Sequence, residues 1–550
     1  MRGCRNWITA LALLGALGCR QGKEPTSEAG VAGPEPTPVL RWHFGGMRAP
    51  SGEAARRAWV LLSETTELTR LRAQTLDKLA RAPFRAWPRA AAATTNDFAP
   101  AFREMWSDLA AAESFFEAHG DTNRFSELVL AVRLPPERAD FWRTNLLEAL
   151  TAWSGRRAAD LGGDRGWQLS LTNPPGLLRL ARAADWTLIG WAADKPARLE
   201  QLRARLVRGE PSAARPTNAW LELFAEPGRW PASVRARGLS ALGAWLPPGS
   251  LTPERLPVVR LALHPRRETM RLEGELIFPD AIAARLDEWQ IPTELVRDPI
   301  IGFTAVRGVA GLLAQGFAAL GLPADSAPNQ LFVWVGAAFP VQILAAAPTP
   351  AAEKVLQSAA AVLPARFNAA LRAADAGALE LLTNAAGEVA LRWTDIPPFI
   401  TPFLTVAAGS NQTHLVAGLY PNWAVPDSPA PTALFEHLAR GTNLVFYDWE
   451  FTGPRSYAWR AGWNVPRHIL HKPRLSADTA SIAFLNSLTN HPGNTVTEVR
   501  LTDTNRLTLV REGPFAFAAA ELVWLAHWLE SPDFPFRLSF PPAPATETEP

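Results

Sequence analysis

Three groups of side chains in this sequence have types and spacing suited to chemistry. Asp448 and Glu450 alternate in the strand-like run Thr442 to Glu450. They therefore share one face, where two carboxylates close together raise one pKa for acid/base work. A solvated strand face explains the same residues without chemistry. His468 and His471, with Asp478 beyond, are spaced for one metal ion on a helix. Pro466 and Pro473 leave little helix to hold them, so surface histidines are expected and no metal site is assigned. The third group is a run of aromatic residues, Phe446, Tyr447, Trp449, Phe451, Tyr457, Trp459 and Trp463, interleaved with Arg455 and Arg460. Such rings stack on sugars or receive an acyl chain or peptide, and the arginines orient carboxylates. From this run Tyr447, Trp449, Arg455, Tyr457, Trp459, Arg460 and Trp463 are the candidate ligand-binding residues. The chain carries 22 tryptophans, so core filling competes with ligand contact.

Other signatures are absent. There is no Gly-x-x-x-x-Gly-Lys phosphate loop, no strand followed by Gly-x-Gly-x-x-Gly, and no His-Glu-x-x-His. Gly238 to Gly243, around Ser240, is one residue too long for a nucleophile elbow. No catalytic residue and no cofactor is assigned. The charge balance, 55 basic against 53 acidic side chains, is too even to grip a phosphate backbone, which excludes nucleic acid as the expected partner.

Both cysteines, Cys4 and Cys19, lie at the start of the chain. Arg2 and Arg5 precede an apolar run from Trp7 to Leu17 that is too short to span a bilayer and has the layout of an export signal. Ala16-Leu17-Gly18-Cys19 resembles the lipobox of bacterial lipoproteins. That resemblance implies cleavage before Cys19 and its lipidation, and Arg20 in place of aspartate implies sorting to the outer membrane. Ala16 departs from the leucine more usual in that family. Residues 20 to 38 are small, charged and proline-rich, and read as a tether.

The elements that would position the aromatic run recur along the chain. Thr217 to Phe224 is echoed by Thr442 to Trp449, Glu127 to Arg133 by Val341 to Ala345, and Trp186 to Trp191 by Thr413 to Leu419. Hairpin patterns follow, Val258 to Leu263 with Thr269 to Phe278, and Val496 to Leu501 with Leu507 to Arg511. Proline-led helices close each half, at Pro279 to Trp289 and Pro514 to Glu530. The fold class expected is α+β: two tandem related modules, each a largely antiparallel sheet packed by helices, preceded by a helical N-terminal segment. The expected divisions are a signal at 1–18, a tether at 19–38, a strand and helices at 39–96, module 1 at 97–299, module 2 at 300–535 and a disordered tail at 536–550. Leu331 to Ala347 carries no charge, but Pro340 and Gln342 interrupt it, and two buried strands are expected rather than a membrane span.

The pattern resembles duplicated envelope lipoproteins, a resemblance that implies no activity. The expectation is a non-enzymatic envelope lipoprotein that binds a protein or envelope component. The alternatives are a carrier of lipid or another apolar ligand, and a hydrolase of envelope polymers working through Asp448 and Glu450.

Overall fold

The computed structural model describes residues 37–47, 65–86, 97–172, 174–209, 219–235, 255–266, 269–337, 342–383, 387–396, 400–409, 412–420, 428–469, 479–489 and 493–536. They divide into two compact units, the first ending at Pro279 and taking in Asp533 to Phe536, the second running from Asp280 to Pro532.

The first unit begins with β1 (Leu40–Phe44), α1 (Thr66–Ala86), α2 (Ala99–Ala111), β2 (Ser114–Gly120), β3 (Phe125–Arg133) and α3 (Pro136–Ser154). It continues with β4 (Ala159–Asp160), β5 (Trp167–Thr172), β6 (Pro175–Ala183), β7 (Trp186–Ala192), α4 (Ala197–Val207), β8 (Leu221–Ala225), β9 (Val258–Pro265) and β10 (Met270–Ile277). The strand order is β4-β5-β6-β7-β3-β2-β1-β8-β9-β10, antiparallel throughout. Local chemistry sets the helix ends: α3 has Pro136 in its first turn, where no N–H is needed, and stops at Gly155, whose φ of 63° lets its N–H close on Thr151. Leu199, Leu202 and Leu206 of α4 bury against Val129, Ala131 and Leu188. Each such leucine contributes roughly 1.5–3 kcal/mol.

The second unit holds β11 (Ile300–Arg307), α5 (Ala310–Leu320), β12 (Gln330–Gly336), β13 (Ile343–Pro348), α6 (Ala352–Ala373), β14 (Ala378–Thr383), β15 (Val389–Thr394), β16 (Phe403–Ala408) and β17 (Thr413–Gly418). After these come α7 (Thr432–Arg440), β18 (Leu444–Phe451), α8 (Thr452–Ile469), α9 (Ala480–Leu488), β19 (Asn494–Asp503), β20 (Arg506–Gly513) and α10 (Ala519–Glu530). Its order is β14-β15-β16-β17-β13-β12-β11-β18-β19-β20, again antiparallel. On one face Phe303, Phe332, Trp334, Val416, Phe435 and Tyr447 make the main core.

The fold class expected from sequence is overturned. The described strands join in one 20-stranded antiparallel sheet, not one sheet per module. Strands hydrogen-bonded on both edges leave fewer unpaired backbone groups than two closed-off sheets would. Among the described residues no helical segment precedes the sheet: β1, at residues 40–44, lies between β2 and β8 with both edges paired. The connection order is the same in the two runs of strands, a property of connectivity that does not restore a two-sheet architecture.

Other expectations also need correction. Residues 279–289 are not helical: the chain there is irregular, held by Ile282 N–H to Thr504 O at 2.8 Å and Gln290 N–H to the Gln330 side chain at 2.8 Å. Pro83 lies inside α1, near its end. The apolar helix α5 has no fully buried residue. Leu331 to Ala347 does contain strands, β12 and β13, and among the described residues no helix is long and apolar enough to cross a membrane.

Candidate functional site

The alternation in β18 sends its side chains to opposite faces. Tyr447 packs into the main core beside the His437 ring, and Trp449 packs against that core. Burial, with Glu498 and Asp448 nearby, pushes the Tyr447 phenol up to about 12. Asp448 and Glu450 point the other way, and neither reaches solvent as a strand face would: they are 8% and 1% exposed.

Two rows of side chains cross the sheet on that second face. Thr304, Asp448, Thr497 and Arg511 stand in register on β11, β18, β19 and β20, and Gly302, Glu450 and Thr495 form the neighbouring row. Helices α8 and α10 supply the other partners. Thr304 donates its hydroxyl to Asp448 at 2.6 Å, and Arg511 donates to Thr497 at 2.9 Å and to both oxygens of Glu521 on α10 at 2.6 and 3.0 Å. Glu521 also accepts the N–H of Ala518, and Glu450 accepts that of Ala519 at 2.6 Å. A carboxylate is well placed there, because the first N–H groups of a helix lack partners within it.

Arg455, on α8, is 2% exposed, and its Nε and Nη1 find no hydrogen-bond partner among the described residues. Gly302 lets it lie there: a Cβ at that position would come within 2.8 Å of Arg455 Cδ and Nε. Electrostatics follows from the enclosure. Burial, followed by repulsion from Asp448, pushes the Glu450 carboxyl up to about 8, against the pull of the Ala519 N–H, Arg455 and Arg511. Burial raises Asp448 as well, opposed by the Thr304 hydrogen bond and the two arginines, while it lowers Arg455.

The first unit fills the same rows differently. Trp42, Leu223, Leu261 and Gly274 lie in register across β1, β8, β9 and β10, beside Leu40, Ala225, Val259 and Leu276. That face is an apolar core. Packing helices on this kind of sheet does not require buried charge, and charge buried without full pairing is costly, so the polar layer of the second unit marks a specialised place.

The aromatic candidates do not converge on one ligand. Tyr447 and Trp449 belong to the core face, and Arg455 to the polar layer. Phe451, Tyr457 and Trp459 reach solvent, at 39%, 44% and 40% exposure. Arg455 lies 5.4 Å from the Trp459 ring and Arg460 lies 5.3 Å from that of Tyr457; Arg460 also donates to Asn486 at 2.5 Å. Trp463 belongs to α8, and its side chain is outside the described set, as is that of His468. His471, Asp478 and Cys19 lie outside the described residues. No protein-family model, curated protein or solved structure matches this chain.

Sequence reasoning missed Thr304, Arg511 and Glu521, which share the layer with Asp448. Their signal was register, which strand alternation gives within one strand but not between strands. It also missed α8, although Pro454 in the first turn is a helix-start signal. Among the described residues no group of three or more His, Cys, Asp or Glu could hold a metal ion. A shallow cleft of about 380 Å³ lies elsewhere, lined by Arg156, Arg157, Ala159, Gln168 and Ser170.

Proposed function

We propose that this chain is an envelope-anchored lipoprotein that binds a protein or envelope component rather than catalysing a reaction, with Cys19 as its lipidated residue and the outer membrane as its site. The observation that supports binding is the surface where β18 meets α8. Phe451, Tyr457 and Trp459, three large aromatic residues within nine positions, are each more than a third exposed, and amphipathic rings of this kind are what interfaces concentrate. The hydrolase alternative loses support because Asp448 and Glu450 are closed under helices, where a polymer has no access. The carrier alternative is weakened by the filled cores on the described sheet faces.

Two measurements test the reading separately. Labelled fatty acid should enter the wild-type chain and not Cys19→Ala, and the variant should leave the membrane fraction; labelling of both would remove the anchor. Crosslinking in intact envelopes should yield a defined adduct that Tyr457→Ala with Trp459→Ala abolishes while the fold is retained. An adduct indifferent to both substitutions would remove this surface from the proposal.

A further inference from the structure

The outermost strand of the second unit, β14, already takes an amide in place of a neighbouring strand. Leu379 donates its N–H to the Asn368 side chain at 2.8 Å, and its carbonyl accepts from the Asn368 amide at 3.0 Å. Its cross-strand partner in β15, Trp393, donates its N–H away from β14, to Pro402 O at 2.9 Å. Leu379 therefore turns its backbone groups away from β15. Every second residue of an antiparallel strand bonds to the same side, so Leu381 and Thr383 do likewise. Among the described residues no strand pairs with that outer edge, and Asn368 reaches no farther along it than Leu379. Sheet edges are commonly blunted by short strands, bulges, lysine or proline. In the first unit the outermost strand, β4, has only two residues. In contrast, β14 has six, ALELLT, without lysine or proline and in unbroken register with β15. Leu381 is 51% exposed, and Leu382 and Val389 beside it are exposed as well.

We infer that the outer edge of β14 pairs with the same edge of a second copy of this chain, strand to antiparallel strand, about a two-fold axis at Leu382. In that register Leu381 faces the copy's Thr383 and Thr383 faces the copy's Leu381. Each pair exchanges both N–H···O bonds, so every outward group of these residues is satisfied. Leu382 meets the copy's Leu382 directly, at a position where facing side chains come closest. The rows across the junction carry no charge: Val389 and Thr383 run into Leu381 and Leu391 on one face, and Ala390 and Leu382 into Leu382 and Ala390 on the other. Like charges stay apart, since Glu380 lies four residue steps, about 13 Å, from the copy's Glu380. An axis at Leu381 would instead set Thr383 against Leu379, whose groups Asn368 holds. Self-matching of groups, side chains and charge is what selects a second copy as the occupant. The contact is smaller than a standard interface, so the pair is weak and reversible in solution. It is independent of the anchor and of the aromatic surface proposed above.

Disulfide crosslinking of the full chain, in a Cys4→Ser and Cys19→Ser background with diamide as oxidant, reads this register. The two Leu382 Cα atoms would stand about 4.5 Å apart, within the span that a disulfide bridges. Leu382→Cys should therefore give a linked dimer whose yield rises with protein concentration, and Glu380→Cys should not. Adding Leu381→Pro removes one outward N–H while leaving the bonds to β15 intact, and should lower the Leu382→Cys yield about tenfold or more. If that variant does not fold, Leu381→Lys takes its place, because a charge at the edge opposes pairing. A Leu382→Cys chain that stays monomeric, equal crosslinking through Glu380→Cys, or a yield indifferent to the Leu381 substitutions would overturn the self-pairing. So would oxidation before lysis that links Leu382→Cys to a different polypeptide in place of its own copy.

Discussion

Glu450 accepts the backbone N–H of Ala519 at 2.6 Å, so a strand side chain sets where a helix begins. Glu127 does the same in the first unit, taking the N–H groups of Arg198 and Leu199 at 2.9 and 2.8 Å at the start of α4. Burial raises both carboxyls above the ordinary value. A buried acid in this protein is thus first a means of docking helices on a sheet. What distinguishes Glu450 is its company: Asp448 beside it, and two arginines that only partly compensate the pair.

The raised Glu450 carboxyl makes a prediction about global stability. Its folded value is about 8 and its ordinary value 4.5, so between those limits the folded chain holds a proton that the unfolded chain has released. Its contribution is fully present below pH 4.5 and is lost as pH rises through 8. The urea midpoint of the wild type should therefore decline from pH 5 to 8 more steeply than that of Glu450→Gln. Parallel curves would show that Glu450 is not protonated in the folded chain.

His527, on α10, acts in the opposite direction. Burial first, then the Arg467 and Arg460 charges, push its imidazole down from 6.5 to about 4. The unfolded chain binds the proton more readily, so this contribution is intact above pH 6.5 and is lost as pH falls through 4. His527→Phe should flatten the acid side of the stability curve while leaving the alkaline side to Glu450. Acid unfolding unchanged by the substitution would contradict it.

Arg307 is a structural rivet that sequence alone does not reveal. It is buried, stacks 4.6 Å from the Trp289 ring, and donates to the carbonyls of Leu444 (2.7 Å), Asp287 (2.6 Å), Gly441 (2.7 Å) and Thr442 (2.5 Å). Lysine cannot reproduce that fork. Arg307→Lys should cost about 3 kcal/mol or more, since each stranded buried partner costs about 1–3 kcal/mol. A chemical denaturation curve within about 0.5 kcal/mol of wild type would show that water replaces the guanidinium.

These residues show what was legible from the sequence and what was not. Strand positions such as Leu444 to Phe451 and hairpins such as β19 with β20 were readable because alternation and turn residues are local. That Asp448 and Glu450 share a face was readable too, but their burial was not, because α8, which follows β18 directly, went unrecognised and α10 reaches that face from far along the chain. The irregular run at 279–289 has the composition of a helix, yet long-range partners such as Gln330 and Thr504 claim its backbone. The separate-sheet expectation failed for a related reason. Pairing at a strand edge is a backbone property, and the side-chain pattern does not encode it.

Gly302 tests whether the polar layer is packed as tightly as its geometry states. It is a mid-strand glycine on β11, where glycine weakens a strand unless something needs the space. Arg455 takes that space: an added Cβ would meet its Cδ and Nε at 2.8 Å and its Cζ at 3.0 Å. Gly302→Ala should therefore destabilise by about 1–3 kcal/mol through overpacking. In an Arg455→Ala background the clash is gone, and the same substitution should become neutral or favourable through better strand propensity. The coupling between the two sites, read from four urea unfolding curves, should exceed about 0.5 kcal/mol, the scale expected for residues in contact. Additive effects would mean that Arg455 does not lie against β11.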